Sequence, residues 1–208
     1  MIILLTGKKH TGKDTVAQYL IKGYENFSQI SFAEPMRKFV KEIFNWNDDW
    51  IENHKEEIDP AWGISYRTVM QTLGTDYFQF YLSKVSKGYG EKTGRDIWVR
   101  VAYPKIKEKL INNENVVISD CRFLHEYKFL YDAFASKLCL IKLERNTQNS
   151  KDNHSSEQEV DLIPYNHIIN NDGSVADLLN NVDTILEREG LIRNCKFRKI
   201  KSLFEEEY

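Results

Sequence analysis

The sequence predicts an α/β protein in which a parallel β-sheet is flanked by helices. Three observations predict it. Short apolar runs without alternation recur along the chain, the stretches between them have helical periodicity, and a glycine-rich turn joins the first run to the first helix. A short run with no polar face suits a strand buried on both sides, as parallel strands are. Such strands alternating with amphipathic helices read as βαβ units.

Each element follows in order. Ile2–Leu5 is the first strand, and the helix over Thr15–Tyr24 places Val16, Ala17, Leu20 and Ile21 on one face. Gln29–Phe32 is the second strand. Residues 45–94 are helical in pattern, with no strand. They hold Trp46, Trp50 and Trp62, and Trp98 follows, so this stretch reads as a helical insertion over the sheet edge. Trp98–Leu110 repeats Trp98, Val101, Ala102, Ile106 and Leu110 at helical spacing. Val116–Ser119 and Leu138–Leu143 are further strands, and His167–Ile169 is a weaker fifth. The polar stretch 145–161 predicts a mobile loop or lid. Val175–Leu186 gathers Leu178, Leu179, Val182 and Ile185, with Ser174 in the N-cap position. Phe197, Ile200 and Phe204 predict a docked terminal helix. The expectation is one domain. Its core is residues 1–44, 95–145 and 162–190, with an insertion at about 45–94, a lid at about 145–161 and a tail at 190–208.

The 208 residues carry 29 basic against 31 acidic side chains, a net charge of −2. That balance argues against a protein that coats a nucleic-acid polymer, since such domains are usually strongly basic. It leaves small anionic substrates open, because a phosphate pocket needs only a few local cations. No segment approaches the roughly 18 to 20 apolar residues of a membrane span, and the start of the chain does not read as a signal peptide. Cys121, Cys139 and Cys195 are odd in number, with no Cys-x-x-Cys, so neither a disulfide nor a zinc framework is expected. A cytoplasmic location is the expectation.

The strongest chemical signal lies at residue 7. Gly7-Lys8-Lys9-His10-Thr11-Gly12-Lys13-Asp14-Thr15 matches G-x-x-x-x-G-K between a buried strand and an amphipathic helix. Gly7 and Gly12 permit backbone angles that a side chain forbids. Consecutive N–H groups then form an anion nest at the positive end of a helix. Lys13 is placed to reach the β- and γ-phosphates of ATP, and Lys8, His10 and Thr11 line the loop. Asp14 stands where the common motif has Ser or Thr, and Thr15 supplies the hydroxyl for Mg²⁺ one place later. Adenylate-kinase-like enzymes share that shift, which points to small-molecule phosphoryl transfer. The bland competitor is a plain glycine turn.

A second cluster follows the strand Val116–Ser119: Asp120, Arg122 and Glu126. Ligands of open α/β sheets sit beyond the carboxyl ends of strands, so these residues are expected beside the phosphate loop. Asp120 could hold Mg²⁺ or orient the attacking phosphate, and Arg122 could offset charge on the transferring group. Equally, Asp120 reads as an N-cap and Arg122–Glu126 as an exposed helical pair.

Taken together, Lys13-Asp14-Thr15 and Asp120-x-Arg122-Phe123-x-x-Glu126 resemble the deoxynucleoside monophosphate kinases of bacteriophages and large DNA viruses. Ser31–Arg37, Arg67–Asp76, Asp96–Val99, His154–Glu157 and Asn170–Ser174 resemble further segments of that family, so the likeness runs from residue 1 to about 186. It implies a P-loop kinase fold and transfer of the ATP γ-phosphoryl group to a (deoxy)nucleoside 5′-monophosphate. By position, Lys13, Asp14, Asp120, Arg122 and Glu126 would line the reaction centre, with Thr15, Asp14 and Asp120 around Mg²⁺. Arg37, Arg67, Gln71, Thr75, Trp98 and Arg122 would bind the monophosphate, Trp98 offering a stacking face. Arg145 would begin the lid and could close on the phosphates, and Asn171 and Gly173 would lie near the adenine of ATP. The lid departs from the usual pattern, since Arg145 is its one clear arginine.

Bland readings stand beside these. Arg37 reads as a solvated helix residue, Arg67 and Gln71 as a structural pair, Trp98 as core, and His154 as a loop residue. Two other functions share the donor site: a kinase for dephospho-coenzyme A or phosphomevalonate, and a nucleotide-binding protein without catalysis. The expected partners are small nucleotides, neither polymer nor membrane, and related enzymes are often dimers, which suggests a homodimer. Lys13, Arg37, Arg67, Arg122 and Arg145 are expected to converge on one crevice.

Overall fold

The computed structural model describes residues 1–146 and 159–191. Along them run β1 (Ile2–Thr6), α1 (Lys13–Gly23), β2 (Phe27–Gln29), α2 (Glu34–Phe44), α3 (Asp48–His54), β3 (Ile58–Asp59), β4 (Ile64–Ser65) and α4 (Tyr66–Gln71). α4 continues as a π-helix over Thr72–Tyr81 and then as α5 (Leu82–Val85). After it come α6 (Lys87–Lys92), α7 (Ile97–Ile111), β5 (Asn115–Ile118), α8 (Leu124–Phe134), β6 (Leu138–Glu144), β7 (His167–Asn170) and α9 (Val175–Arg188). The chain divides into two compact units, Met1–Ser31 with Tyr103–Tyr208, and Phe32–Ala102.

The first unit holds a five-stranded sheet in the order β2-β5-β1-β6-β7, with every neighbouring pair parallel. All five residues of the central strand β1 are buried, so both faces of the sheet are covered. Each buried Ile or Leu contributes about 1.5 to 3 kcal/mol by leaving water. On one face Ile3, Leu5 and Ile141 meet Val16, Ala17 and Leu20 of α1 and Leu178, Leu179 and Val182 of α9. Within this core Asp183 accepts from the hydroxyls of Tyr19 (2.8 Å) and Tyr24 (2.9 Å). α9 begins as the sequence reading expects. Ser174 Oγ accepts from Asp177 N, and the Asp177 carboxylate accepts from Ser174 N, a capping box.

β2 lies two to three residues earlier than the periodicity predicts. Among the described residues it pairs only with β5, through Phe27, Ser28 and Gln29, and Ile30 N still donates to Val117 O before the chain leaves the sheet. Ile30 and Phe32 are buried beyond the strand's end. Apolar burial therefore outlasts the hydrogen-bonded ladder, and that misleads a periodicity reading.

The second unit also holds strands where none is expected. β3 and β4 form an antiparallel hairpin of two residues each. Strands so short leave no period to detect; the signal is instead the turn chemistry of Asp59-Pro60-Ala61-Trp62-Gly63. Asp59 Oδ1 accepts from Ala61 N, its carbonyl accepts from Gly63 N, and Gly63 takes φ 68°. Asp59 Oδ2 also accepts from the indole of Trp46. This unit has its own core of Met36, Val40, Trp46, Ile51, Tyr66 and Val69, with Phe44, Trp50 and Trp98 packed against it.

Lid residues 147–158, His154–Glu157 among them, and the expected terminal helix at Phe197–Phe204 lie outside the described residues.

The double acceptor at Asp183 makes a clear test. Asp183→Ala should destabilise the fold by about 3 kcal/mol, because two buried hydroxyls lose this acceptor. Urea denaturation measures the change, and a loss below about 1 kcal/mol would contradict it.

Candidate functional site

The turn after β1 is where the first unit concentrates unusual backbone. Gly7 takes φ 143°, His10 φ 61° and Gly12 φ 96°, all in the region that favours glycine. Gly7 is required for a second reason: a Cβ there would collide with the Leu143 carbonyl of β6 and lie 2.9 Å from Thr11 Oγ1. Gly12 stands in the N-cap position of α1 with no side-chain cap, so the first N–H groups of that helix are not closed by a capping side chain. The same loop is braced from the far side of the sequence, as Asn171 Nδ2 donates to Thr11 O at 3.1 Å and Asn171 N to Glu144 O at 2.7 Å.

Lys13 is buried, and its ammonium lies back over the loop. It donates to Lys8 O at 2.5 Å and reaches Thr11 Oγ1 at 3.4 Å. Lys8 itself pairs with Asp161 at 3.2 Å, and Asp161 also pairs with the buried Lys142. Burial alone would raise the Asp161 carboxyl, but hydrogen bonds from Lys8 and Lys142 outweigh it and hold the pKa below its usual value. Arg145 is exposed at the end of β6. Asn146 donates to Asp172, and Gly173 lies against Asp177 in the cap of α9.

Asp14 and Asp120 each accept from a serine hydroxyl. Ser119 Oγ donates to Asp14 Oδ1 at 3.0 Å, and Ser31 Oγ to Asp120 Oδ2 at 2.6 Å. Thr15 is half-buried; the side chains of Asp14, Thr15 and Asp120 offer only oxygen atoms, the ligand type a hard cation such as Mg²⁺ takes. Glu126 is placed differently from the helical pairing with Arg122 considered above. Arg122 precedes α8, and the buried Glu126 carboxylate accepts from Arg122 N (2.9 Å) and Phe123 N (3.1 Å). It thereby holds the backbone that carries Arg122. Burial pushes its carboxyl up to about 8, aided by the charge of Asp120 and opposed by the two N–H donors.

The remaining predicted residues belong to the second unit. Arg37 is exposed on α2, and the Tyr66 hydroxyl, whose pKa burial raises, is buried without an aligned hydrogen-bond partner. Arg67 Nε lies 2.5 Å from Glu56 Oε1 but off the hydrogen-bonding direction, so this is an ion pair rather than an aligned bond. Gln71 is half-buried and Thr75 is buried along the α4–π-helix segment. Trp98 is half-buried, donates its indole N–H to Gly74 O at 2.7 Å and packs edge-on to Phe78. The brace from Asn171 to the loop and the pairing of Lys8 with Asp161 are not legible in the sequence, since their partners are about 150 residues apart.

A family model described as deoxynucleotide monophosphate kinase matches residues 43–182. A protein of Acanthamoeba polyphaga mimivirus, named "Putative deoxynucleotide monophosphate kinase", is 31% identical over 189 residues, covering 88% of this chain and 94% of that protein. A crystal structure of TT1252 from Thermus thermophilus is 13% identical and covers 90% of this chain and 97% of that one, at a TM-score of 0.40. Among the described residues no helix is long and apolar enough to cross a membrane.

The elevated Glu126 carboxyl gives a pH test. The folded state keeps a proton that the unfolded chain releases, so this group lowers stability as pH rises from 4.5 towards about 8. Glu126→Gln keeps an oxygen for both N–H donors and removes the titration. Denaturation midpoints should therefore fall less steeply across that range in the variant than in the wild type; parallel slopes would contradict the assignment.

Proposed function

The chain belongs to the deoxynucleotide monophosphate kinase family, and on that premise we propose that it transfers the γ-phosphoryl group of ATP to deoxynucleoside 5′-monophosphates, giving the diphosphate and ADP. One observation carries the ATP half of this reading. The loop Gly7–Gly12 has three residues in the left-handed region, opens onto the start of α1 and holds a buried lysine against its own carbonyl. That is an anion nest with its counter-cation in place.

In this reading the loop N–H groups and the start of α1 hold the β-phosphate. The Lys13 ammonium exchanges its bond to Lys8 O for oxygens of the β- and γ-phosphates, where it offsets charge that grows on the leaving group. An oxygen of the acceptor monophosphate forms the new bond to the γ-phosphorus, and the bond from that phosphorus to the β-phosphate oxygen breaks. The attacking oxygen is already ionised, so no side chain has to remove a proton from it. This leaves Asp120 to orient and Arg122 to offset charge on the transferring group. Mg²⁺, held by Thr15, Asp14 and Asp120, would supply further charge neutralisation on the triphosphate. Arg37 and Arg67 supply cations for the acceptor phosphate, and Gln71, Thr75 and Trp98 supply polar and flat surfaces for the nucleoside.

Lys13→Ala is the decisive variant. It should lower kcat by at least about 100-fold, as expected when a charge aimed at the transition state is removed, while the thermal midpoint stays near that of the wild type. A coupled ADP-release assay over the deoxy- and ribonucleoside monophosphates reads it. Retained activity would overturn the loop's role, and a wild-type enzyme that binds ATP yet turns over no monophosphate would overturn the function.

A further inference from the structure

Gln79 is a polar side chain that neither the sequence motif nor the mechanism uses. It is 2% exposed, and its Oε1 is sealed from solvent with no hydrogen-bond partner. Buried polar atoms are nearly always paired, and an unpaired amide carbonyl costs stability, so such an atom needs an explanation. The Nε2 end of the same amide is not sealed in this way. Gln79 also stands in the π-helix Thr72–Tyr81, where Leu82 N bonds Tyr77 O five residues back. Interruptions of α-helical winding by π turns occur frequently at functional sites.

Spacing ties Gln79 to two residues already assigned to the acceptor. Gln71, Thr75 and Gln79 are four apart, which is close to one turn in an α-helix and just short of one in the wider winding. The three therefore share one side of this segment, while Asp76 and Tyr77 are exposed.

We propose that Gln79 reads the base of the acceptor nucleotide through its side-chain amide, at the far end of the row begun by Gln71 and Thr75. The inference rests on the acceptor reading given above. The chemistry favours a base over a phosphate or a purely apolar ligand. A phosphate calls for cations, which Arg37 and Arg67 supply, whereas an amide presents one donor and one acceptor side by side. That pair matches a base edge carrying an adjacent acceptor and donor, the geometry in which Gln recognises adenine. Sites built to hydrogen-bond a group discriminate strongly against analogues that lack it, so an unsatisfied buried amide is an economical way to select a base.

The test is steady-state kinetics with dAMP, dGMP, dCMP and dTMP on the wild type, Gln79→Leu and Gln79→Glu, with the thermal midpoint measured for each. Gln79→Leu should raise KM for the preferred monophosphate at least about tenfold and flatten the ranking among bases, while KM for ATP stays within about twofold. Gln79→Glu, assayed at a pH where its carboxyl is ionised, can only accept, so it should shift the ranking towards bases bearing amino groups and away from dTMP. A purely structural glutamine would move the thermal midpoint and scale all four monophosphates equally, and that result overturns the proposal. If Gln79→Leu fails to fold, the ranking in Gln79→Glu decides alone: an unchanged ranking in an active enzyme overturns the role of Gln79 and leaves the kinase function standing. A wild type with no acceptor turnover overturns the function itself, and this inference with it.

Discussion

Gly7 lies so close to the Leu143 carbonyl that no side chain can stand there, and the first unit depends on that approach. β1 and β6 are neighbouring parallel strands, and the turn leaving β1 has to fold back over the end of β6. Only a residue without a Cβ, at φ 143°, makes that turn. Once it is made, α1 starts with Gly12 as its N-cap and no capping side chain, and Lys13 is the first residue of that helix. The conformation of the loop is thus a consequence of how a buried strand hands over to a helix across a crowded strand end.

Polar contacts from distant parts of the chain then hold the loop in place. Asn171, just beyond β7, donates to Thr11 O, and Lys8 pairs with Asp161, which shares its carboxylate with the buried Lys142. These interactions set a geometry that apolar packing alone would leave loose, since hydrogen bonds are directional and burial is not. Glu126 has a comparable part near Arg122: its carboxylate caps the backbone before α8 and shifts in pKa because it is buried to do so.

The second unit is organised by aromatic packing. Trp46 stacks between Phe44 and Trp50, and its indole N–H closes on Asp59 of the short hairpin. The row Gln71, Thr75 and Gln79 shows how much of this unit was legible. Gln71 and Thr75 stand out through a motif, whereas Gln79 carries no motif and is noticed only because its amide is buried and unpaired. Trp98 packs as its core reading expects, with its ring on Phe78, and adds a contact that reading did not include: its N–H serves Gly74 O.

By itself the sequence determined the α/β class, four of the five sheet strands to within a residue or two, the long helices α1, α7 and α9, the Ser174 cap and the glycine turn between β1 and α1. Each of these is local, written in a periodicity or a fixed spacing of a few residues. Tertiary structure alone decided what depends on partners far apart in the chain. It set the end of β2, where burial continues after the ladder stops, and the hairpin β3–β4, too short to have a period. It also brought Asn171 to the loop, Asp161 to Lys8 and Asp183 to two tyrosines, and it wound the α4 segment into a π-helix. The physical reason is the same in each case. A side chain's pattern along the chain reports which face it occupies, but which polar atom meets it there is settled only when distant segments close on one another.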